Sequence, residues 1–514
     1  MGISNSCRAA LGLGAGALAL AAAAGSARAA DFIGGDTLLI STTTYQDVGE
    51  VAGLVAGQSL LPGKNAGQTS TAVSNGNLNT VWNNESGDPS FGVTSAISLS
   101  DLNINTGAVL ASKTINPSIV STSFSSKSEL GLNLTKTSTG YVATFMGYTG
   151  GGVGNLDVSN SDTTAFKDTT NPVTSFFAPG ANQTYAFNRA VVAFKADGSY
   201  TATQTLAYGG NNGRSAVLAP NGLYYTAGNS NNGSGTPTQL TTTTGLEVAT
   251  PGSTPNSTMI DPTFKSIPGD KAGKDSNFRG VTYFNGSLYF TKGSGSNGID
   301  TVYTVSNPNG ALPTSATASG ATISILPGLP TDPAKTGPNY TPFGLFFANS
   351  TTLYVADEGT GDTVDQTDHA GLEKWTLTDG TWSLDYTLQA GLIGGTYSVP
   401  GWNFGETTIG LRNLSAKLNA DGTVTFFATT STSSDSGDNG ADPNEIVKIT
   451  DVLGDTSLPT NESFSVFDGP QAGLRFGGVA FAAAPEPSTW AMLLIGFAGL
   501  GFAGYRKRSA LSLG

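Results

Sequence analysis

Between residues 31 and 484 the apolar residues either alternate with polar ones or fall in runs too short for a helix. No stretch there keeps a 3.6-residue apolar period for three turns, so the pattern predicts strands and loops throughout. Residues 37–45 (TLLISTTTY) read as a strand from their apolar and β-branched content. Residues 46–94 carry few strand signals and much Gly and Asn, and are expected to form a long surface insertion. Residues 96–110 alternate well and break at Asn105-Thr106-Gly107, which predicts a hairpin.

From there a unit recurs: a short apolar strand, a turn and a second strand rich in aromatics. Most of the turns set Asn or Asp beside Gly. Residues 214–229 (RSAVLAPNGLYYTAGN), 279–294 (RGVTYFNGSLYFTKGS), 342–359 and 414–431 show it, and 130–148 fit more loosely. Each is followed by further strands, as at 191–206, 372–388, and 301–306 with 322–325. Four antiparallel strands per unit, repeated without helices, resemble a β-propeller. The ends fit the same scheme. Residues 475–481 look like a first strand with no second, and 36–45 like a second strand with no first. Joined, they complete one blade and close the ring, which removes open sheet edges. The expected fold is an all-β propeller of six blades, or seven if residues 46–94 or 150–189 hold a degenerate one. Tandem β-sandwiches are the alternative, because their strands also recur every 8–12 residues.

The two termini change the picture from fold to destination. Arg8 precedes an apolar segment at 9–24, and Ala27-Arg28-Ala29 offers small residues for signal peptidase, so 1–29 read as a secretory signal peptide. The one cysteine, Cys7, falls inside it, leaving a body at 30–484 without disulfides. At the other end Pro485-Glu486-Pro487 precedes an uncharged run at 490–505, then Arg506-Lys507-Arg508. That run would span about 24 Å as a helix, a short transmembrane segment whose basic flank stays cytoplasmic. Pro485, Glu486, Pro487, Trp490, Arg506, Lys507 and Arg508 together resemble the PEP-CTERM sorting domain of Gram-negative bacteria. The resemblance covers only residues 485–508. It implies recognition by exosortase, a transient anchor in the inner membrane, then display at the surface or release, in company with exopolysaccharide and biofilm production.

Composition narrows the partners. The body holds nineteen basic and thirty-six acidic residues, a net charge of −17. Such a surface disfavours nucleic acid and anionic lipid. Charged residues are 12% of the chain, with Gly, Ser, Thr and Asn in their place.

Candidate chemistry is sparse. The single histidine, His369, lies in a polar loop with no nucleophile elbow, and reads as a surface residue. Zinc needs several His or Cys ligands that the body lacks. The Gly-rich 150–154 segment has no following Lys-Ser/Thr and is no phosphate loop. Trp375, Trp382 and Trp402 would suit a glycan groove or blade packing, and packing is the expected role. Arg214 and Arg279 stand at the heads of inner strands, with Arg412 and Arg475 at similar offsets. Converging at one channel mouth they would bind a carboxylate or sulfate; otherwise each would bridge to a neighbouring blade. Two acidic loops, Asp357 with Asp362, Asp365 and Asp368, and Asp435 with Asp438 and Asp442, are candidates for calcium. No catalytic residue is assigned. The expectation is a non-enzymatic surface protein that binds or organises exopolysaccharide. Its rival is a polysaccharide hydrolase or lyase working through paired carboxylates.

Overall fold

The computed structural model describes residues 32–46, 48–49, 51–53, 60–62, 69–71, 73–74, 82–83, 93–124, 126–150, 152–155, 158, 188–230, 241–337, 340–360, 369–434 and 440–483. Residues 1–29, expected to be a signal peptide, and the tail at 485–508 lie outside them. Among the described residues no helix is long and apolar enough to cross a membrane.

β1 (Thr37–Thr44) is followed by two short ribbons, β2 (Leu60–Pro62) with β3 (Thr69–Thr71), and β4 (Val73–Ser74) with β5 (Trp82–Asn83). Next come β6 (Thr94–Asn103), β7 (Val109–Thr114), β8 (Val120–Ser123), β9 (Asn133–Thr137), β10 (Gly140–Thr149), β11 (Asn188–Lys195) and β12 (Tyr200–Gln204). Three four-stranded sheets succeed them in chain order. The first is β13 (Gly213–Leu218), β14 (Tyr224–Gly228), β15 (Gly245–Ala249) and β16 (Thr258–Met259). The second is β17 (Val281–Phe284), β18 (Ser287–Lys292), β19 (Thr301–Ser306) and β20 (Thr322–Ile325). The third is β21 (Pro342–Asn349), β22 (Thr352–Asp357), β23 (Gly371–Thr378) and β24 (Thr381–Leu388). A five-stranded sheet holds β25 (Thr396–Ser398), β26 (Gly405–Leu418), β27 (Thr423–Ser433), β28 (Ile446–Val452) and β29 (Ser465–Asp468). The chain ends its described part in β30 (Leu474–Ala482).

The hairpins form where Asn/Asp-Gly turns predict them. Asn285 and Gly286, and Asp379 and Gly380, all have positive φ, as a tight two-residue turn between twisted antiparallel strands requires. β1 pairs antiparallel with β30, Thr37 opposite Ala482 through Thr44 opposite Leu474, and on its other edge with β6. The first and last described strands are therefore neighbours, as the split repeat predicts.

The sheets are arranged like a propeller. β9 lies beside β13, β13 beside β17, β17 beside β21, β21 beside β26, β26 beside β30, and β30 beside β9. Face-to-face sandwiches do not produce such a cycle. Separate apolar clusters fill the spaces between successive sheets. Val217, Phe278 and Phe290 share one; Phe347, Leu353 and Trp382 another; Leu38, Phe427 and Val479 a third. Crowding at the axis selects glycine: a Cβ on Gly280 would stand 2.3 Å from the Phe343 carbonyl oxygen, and one on Gly344 2.6 Å from that of Arg412.

The hydrogen bonding does not divide into six or seven separate sheets. Four sheets have four or five strands, and one has nine, in the order β12-β11-β10-β8-β6-β1-β30 with β7 on β6 and β9 on β10. The cause is β8, which pairs with both β6 and β10 and joins what would otherwise be two units. The two segments considered for a degenerate blade each leave and re-enter neighbouring strands, β1 to β6 and β10 to β11.

Buried acids set an unusual pH response. Burial raises Asp101 to about 6, Glu129 to about 7 and Asp357 to about 7; burial and then Asp442 raise Glu406 to about 9. Between the ordinary carboxyl values and these, the folded state holds more protons than the unfolded chain, so stability falls as pH rises. Glu358, held at about 2, acts the other way: its contribution is complete above 4.5 and is lost as pH falls towards 2. Calorimetric melting should therefore give a higher midpoint at pH 5 than at pH 8. A midpoint that climbs steadily from pH 5 to 8 would contradict these assignments.

Candidate functional site

The axial channel is closed by side chains from the inner strands. Asn133 Nδ2 donates to the carbonyls of Ala216 (2.9 Å) and Val281 (3.0 Å), reaching two neighbouring sheets. Asn413 Oδ1 accepts from the Val479 amide at 2.7 Å. The cavity left among them is about 30 Å³, room for a water and no more. A ligand of any size must bind at an end of the channel.

One end opens into a polar cavity of about 430 Å³, lined by Lys127, Arg279, Asp300, Glu358 and Arg412 among Ser, Thr and Gly residues. Glu358 sits just past β22 and is the hub. Arg279 Nη2 approaches its Oε1 at 3.2 Å, and Arg412 Nε its Oε2 at 3.2 Å. Arg279 stands just before β17 and Arg412 in the middle of β26, on the sheets on either side, so the carboxylate ties three consecutive sheets together. Burial alone would raise Glu358, but Arg279, Lys127 and Arg412 outweigh it and hold the carboxyl at about 2. It stays ionised at any ordinary pH. Burial pulls Arg412 down from its usual value, with Glu358 opposing. Asp300, the other carboxylate among the described residues of the lining, is bound by Lys292, whose ammonium also donates to the Ser294 carbonyl at 3.1 Å.

The four arginines singled out in the sequence share this region but not one role. Arg279 and Arg412 bridge between sheets through Glu358. Arg214 Nη1 donates to Asn277 Oδ1, and burial followed by the nearby Arg279 lowers its pKa to about 9. Arg475 Nη1 donates to the carbonyls of Phe124 (2.9 Å) and Ser126, holding the residues just before Lys127. Two guanidiniums thus line the cavity and two shape its walls. Arg412 uses only Nε on Glu358, which leaves its terminal amino groups without a protein acceptor among the described residues. The sequence reading missed Glu358, although it stands inside the quoted acidic loop, and it missed Lys127 altogether. A buried strand-head arginine demands a counterion, and that demand was the available signal.

The remaining candidates fall elsewhere. His369 is half-buried rather than a surface residue: its Nδ1 meets Glu373 Oε1 at 2.5 Å, and its ring packs 4.8 Å from that of Tyr340. Trp375, Trp382 and Trp402 are buried in apolar clusters, so none lines a glycan groove. Of the calcium candidates, Asp357 is buried and accepts from the Thr341 amide (2.7 Å), the Thr341 hydroxyl (2.5 Å) and the Gly359 amide (2.8 Å). Asp442 accepts from the Ser434 hydroxyl at 2.8 Å. Asp362, Asp365, Asp368, Asp435 and Asp438 lie outside the described residues. Among the described residues no three His, Cys, Asp or Glu side chains come together as a metal site.

Comparison with known proteins gives one specific match. Residues 483–508 match the PEP-CTERM protein-sorting motif, which implies export, membrane-anchored sorting and processing by exosortase. No curated protein matches the chain. Solved structures of similar shape include a putative 6-phosphogluconolactonase from Bacteroides fragilis, 12% identical, covering 86% of this chain and 98% of that one, with a TM-score of 0.32. A quinonprotein alcohol dehydrogenase-like protein from Bacteroides thetaiotaomicron is 10% identical over 86% and 95% of the two chains, with a TM-score of 0.29. The hemagglutinin-neuraminidase ectodomain of parainfluenza virus 5 is 8% identical over 75% and 76%, also at 0.29. Likenesses this distant carry nothing about chemistry at the mouth.

Proposed function

We propose that this protein is a surface-sorted binding module whose channel mouth holds anionic groups of extracellular polysaccharide, without turning them over. Residues 1–29 direct export, 30–484 form the binding body, and 485–508 are the sorting signal. In this reading the nine-stranded sheet acts as two quartets, β30-β1-β6-β7 and β9-β10-β11-β12, making a ring of six. The cycle of inner-strand neighbours supports that count.

One observation carries the reading. A chain of net charge −13 gathers Lys127, Arg279 and Arg412 around a single cavity, and the terminal amino groups of Arg412 have no acceptor among the described residues. A cationic recess on an acidic protein selects small anionic groups and repels bulk polyanions elsewhere on its surface. Seryl and threonyl hydroxyls around it match the hydroxyls of a sugar. The absence of turnover is supported by the carboxylates of the lining. Glu358 is too weak a base to take a proton, and Asp300 is tied to Lys292. Acid–base hydrolysis needs one carboxyl poised to give a proton and one free to act as base or nucleophile.

The test is calorimetric titration of the full chain with galacturonate oligomers and with neutral dextran oligomers. The acidic ligand should bind and the neutral one should not, with affinity falling as salt rises. Lys127→Gln should weaken binding about tenfold, in line with about 1.5 kcal/mol for a hydrogen bond to a charged group. Equal binding of both sugars would remove the anion-binding reading.

A further inference from the structure

A second polar cavity of about 180 Å³ adjoins the mouth and shares its wall at residues 294–296. Among the described residues it is lined by Asn229, Lys274, Asn277 and Asn297 together with that shared wall, and by no carboxylate. The wall belongs to both recesses by construction of the chain. Asn277 Nδ2 donates to Ser294 Oγ at 3.2 Å, and Arg279 Nε donates to the same oxygen at 3.1 Å. Gly295 has φ of +87°, a backbone state glycine adopts freely, and a Cβ there would stand 3.1 Å from Asn277 Nδ2. The loop is thus pinned low between the two recesses by the same side chains that line them.

From this we infer that the mouth is an extended site for consecutive acidic residues of one polysaccharide chain. One acidic group sits among Lys127, Arg279 and Arg412, the chain crosses residues 294–296, and the next acidic group meets Lys274. Asn277 is held by Arg214 and Ser294, and the amides of Asn229 and Asn297 beside it bring hydrogen-bonding groups to the recess that suit the hydroxyl and ring oxygens of a sugar. Among the described residues no aromatic side chain lines either recess, and so none offers the stacking surface that single-stranded nucleic acid uses. An acidic glycan is the polyanion that this lining fits. The inference rests on the anion-binding reading above and adds to it the length of the ligand.

Two linked sites gain affinity because the second contact is intramolecular, provided the ligand spans both. The experiment titrates the full chain with galacturonate monomer, galacturonate tetramer and a thymidylate tetramer, for the natural sequence and for Lys274→Gln and Asn297→Ala. The galacturonate tetramer should bind at least thirtyfold more tightly than the monomer, well beyond the few-fold gain from having several registers. Lys274→Gln should remove most of that gain and leave monomer affinity unchanged, and Asn297→Ala should remove part of it. Monomer and tetramer of equal affinity, or a Lys274→Gln effect on both alike, would overturn the extended site while sparing the mouth. Equal binding of the thymidylate tetramer would overturn the glycan assignment. Failure of monomer and both tetramers to bind would overturn the mouth reading as well. Lys274 and Asn297 are half-buried and make no contact with the Arg279–Glu358–Arg412 bridge through a hydrogen bond or ion pair, so both changes should leave it intact, with an unchanged melting midpoint as the check.

Discussion

Deleting residues 32–45 is expected to abolish cooperative folding altogether. β1 is not a frayed terminus but an interior strand, bonded to β30 on one edge and β6 on the other. Seven of its eight residues are buried. Leu39 packs with Leu99, Phe145 and Ala480, while Leu38 and Ile40 pack on the opposite face with Phe427 and Val479. Removing the strand takes out two apolar clusters at once and leaves two unpaired strand edges facing each other across a gap. Such edges pair with other molecules. The truncated chain should elute as aggregate and show no sigmoidal denaturant transition. A gentler version, Leu39→Asp, buries an unpaired carboxylate and should cost upwards of about 4 kcal/mol. A monomeric truncated protein with a sharp unfolding transition would show that ring closure is dispensable.

The second large effect lies between two neighbouring sheets. Lys374 on β23 and Asp451 on β28 form a fully buried ion pair at 2.9 Å. Asp451 also accepts from the hydroxyls of Tyr354 and Tyr386, the latter at 2.6 Å. Lys374 donates further to Tyr386 (2.9 Å) and to the Val452 carbonyl (2.7 Å). Every polar atom of this group has its partner inside the protein. Asp451→Ala would leave the ammonium buried against two tyrosine hydroxyls and a carbonyl, at a cost of about 3–5 kcal/mol. Replacing both, Lys374→Met with Asp451→Leu, should cost clearly less than Asp451→Ala, because no lone charge remains. Equilibrium unfolding of the three variants decides it. A double variant no more stable than the single one would mean the pair acts through shape rather than charge.

Local signals account for what was legible in the sequence. Asn-Gly at 221–222 and 285–286, and Asp-Gly at 197–198, 379–380 and 421–422, each mark a hairpin, since only such residues turn the chain in so few steps. The split unit at the two ends announced the pairing of β1 with β30. What escaped was long-range. β8 has only four residues, Val-Ser-Thr-Ser, after an Asn-Pro turn, and so short a segment does not say that it will stitch two units into one sheet. The glycines of Arg279-Gly280 and Phe343-Gly344 looked like composition in a glycine-rich chain. Their reason is the backbone of the next sheet, invisible without the ring.

The site was half legible for the same reason. Spacing singled out four arginines, of which Arg279 and Arg412 line the cavity, but the different fates of Arg214 and Arg475 depend on which acceptors their neighbours present. Glu358 could be found only by asking what neutralises a buried arginine. The tail was the opposite case: its meaning lies in linear order, Pro-Glu-Pro, apolar run, basic cluster, and needs no fold to be read.

The most direct test of the binding account is a crystal structure of this protein grown or soaked with a galacturonate oligomer. The account predicts a carboxylate of the sugar between Lys127, Arg279 and Arg412, accepting from the terminal amino groups of Arg412, with Glu358 still bridging the two arginines. Sugar bound elsewhere on the ring, with the mouth holding only water, would contradict it.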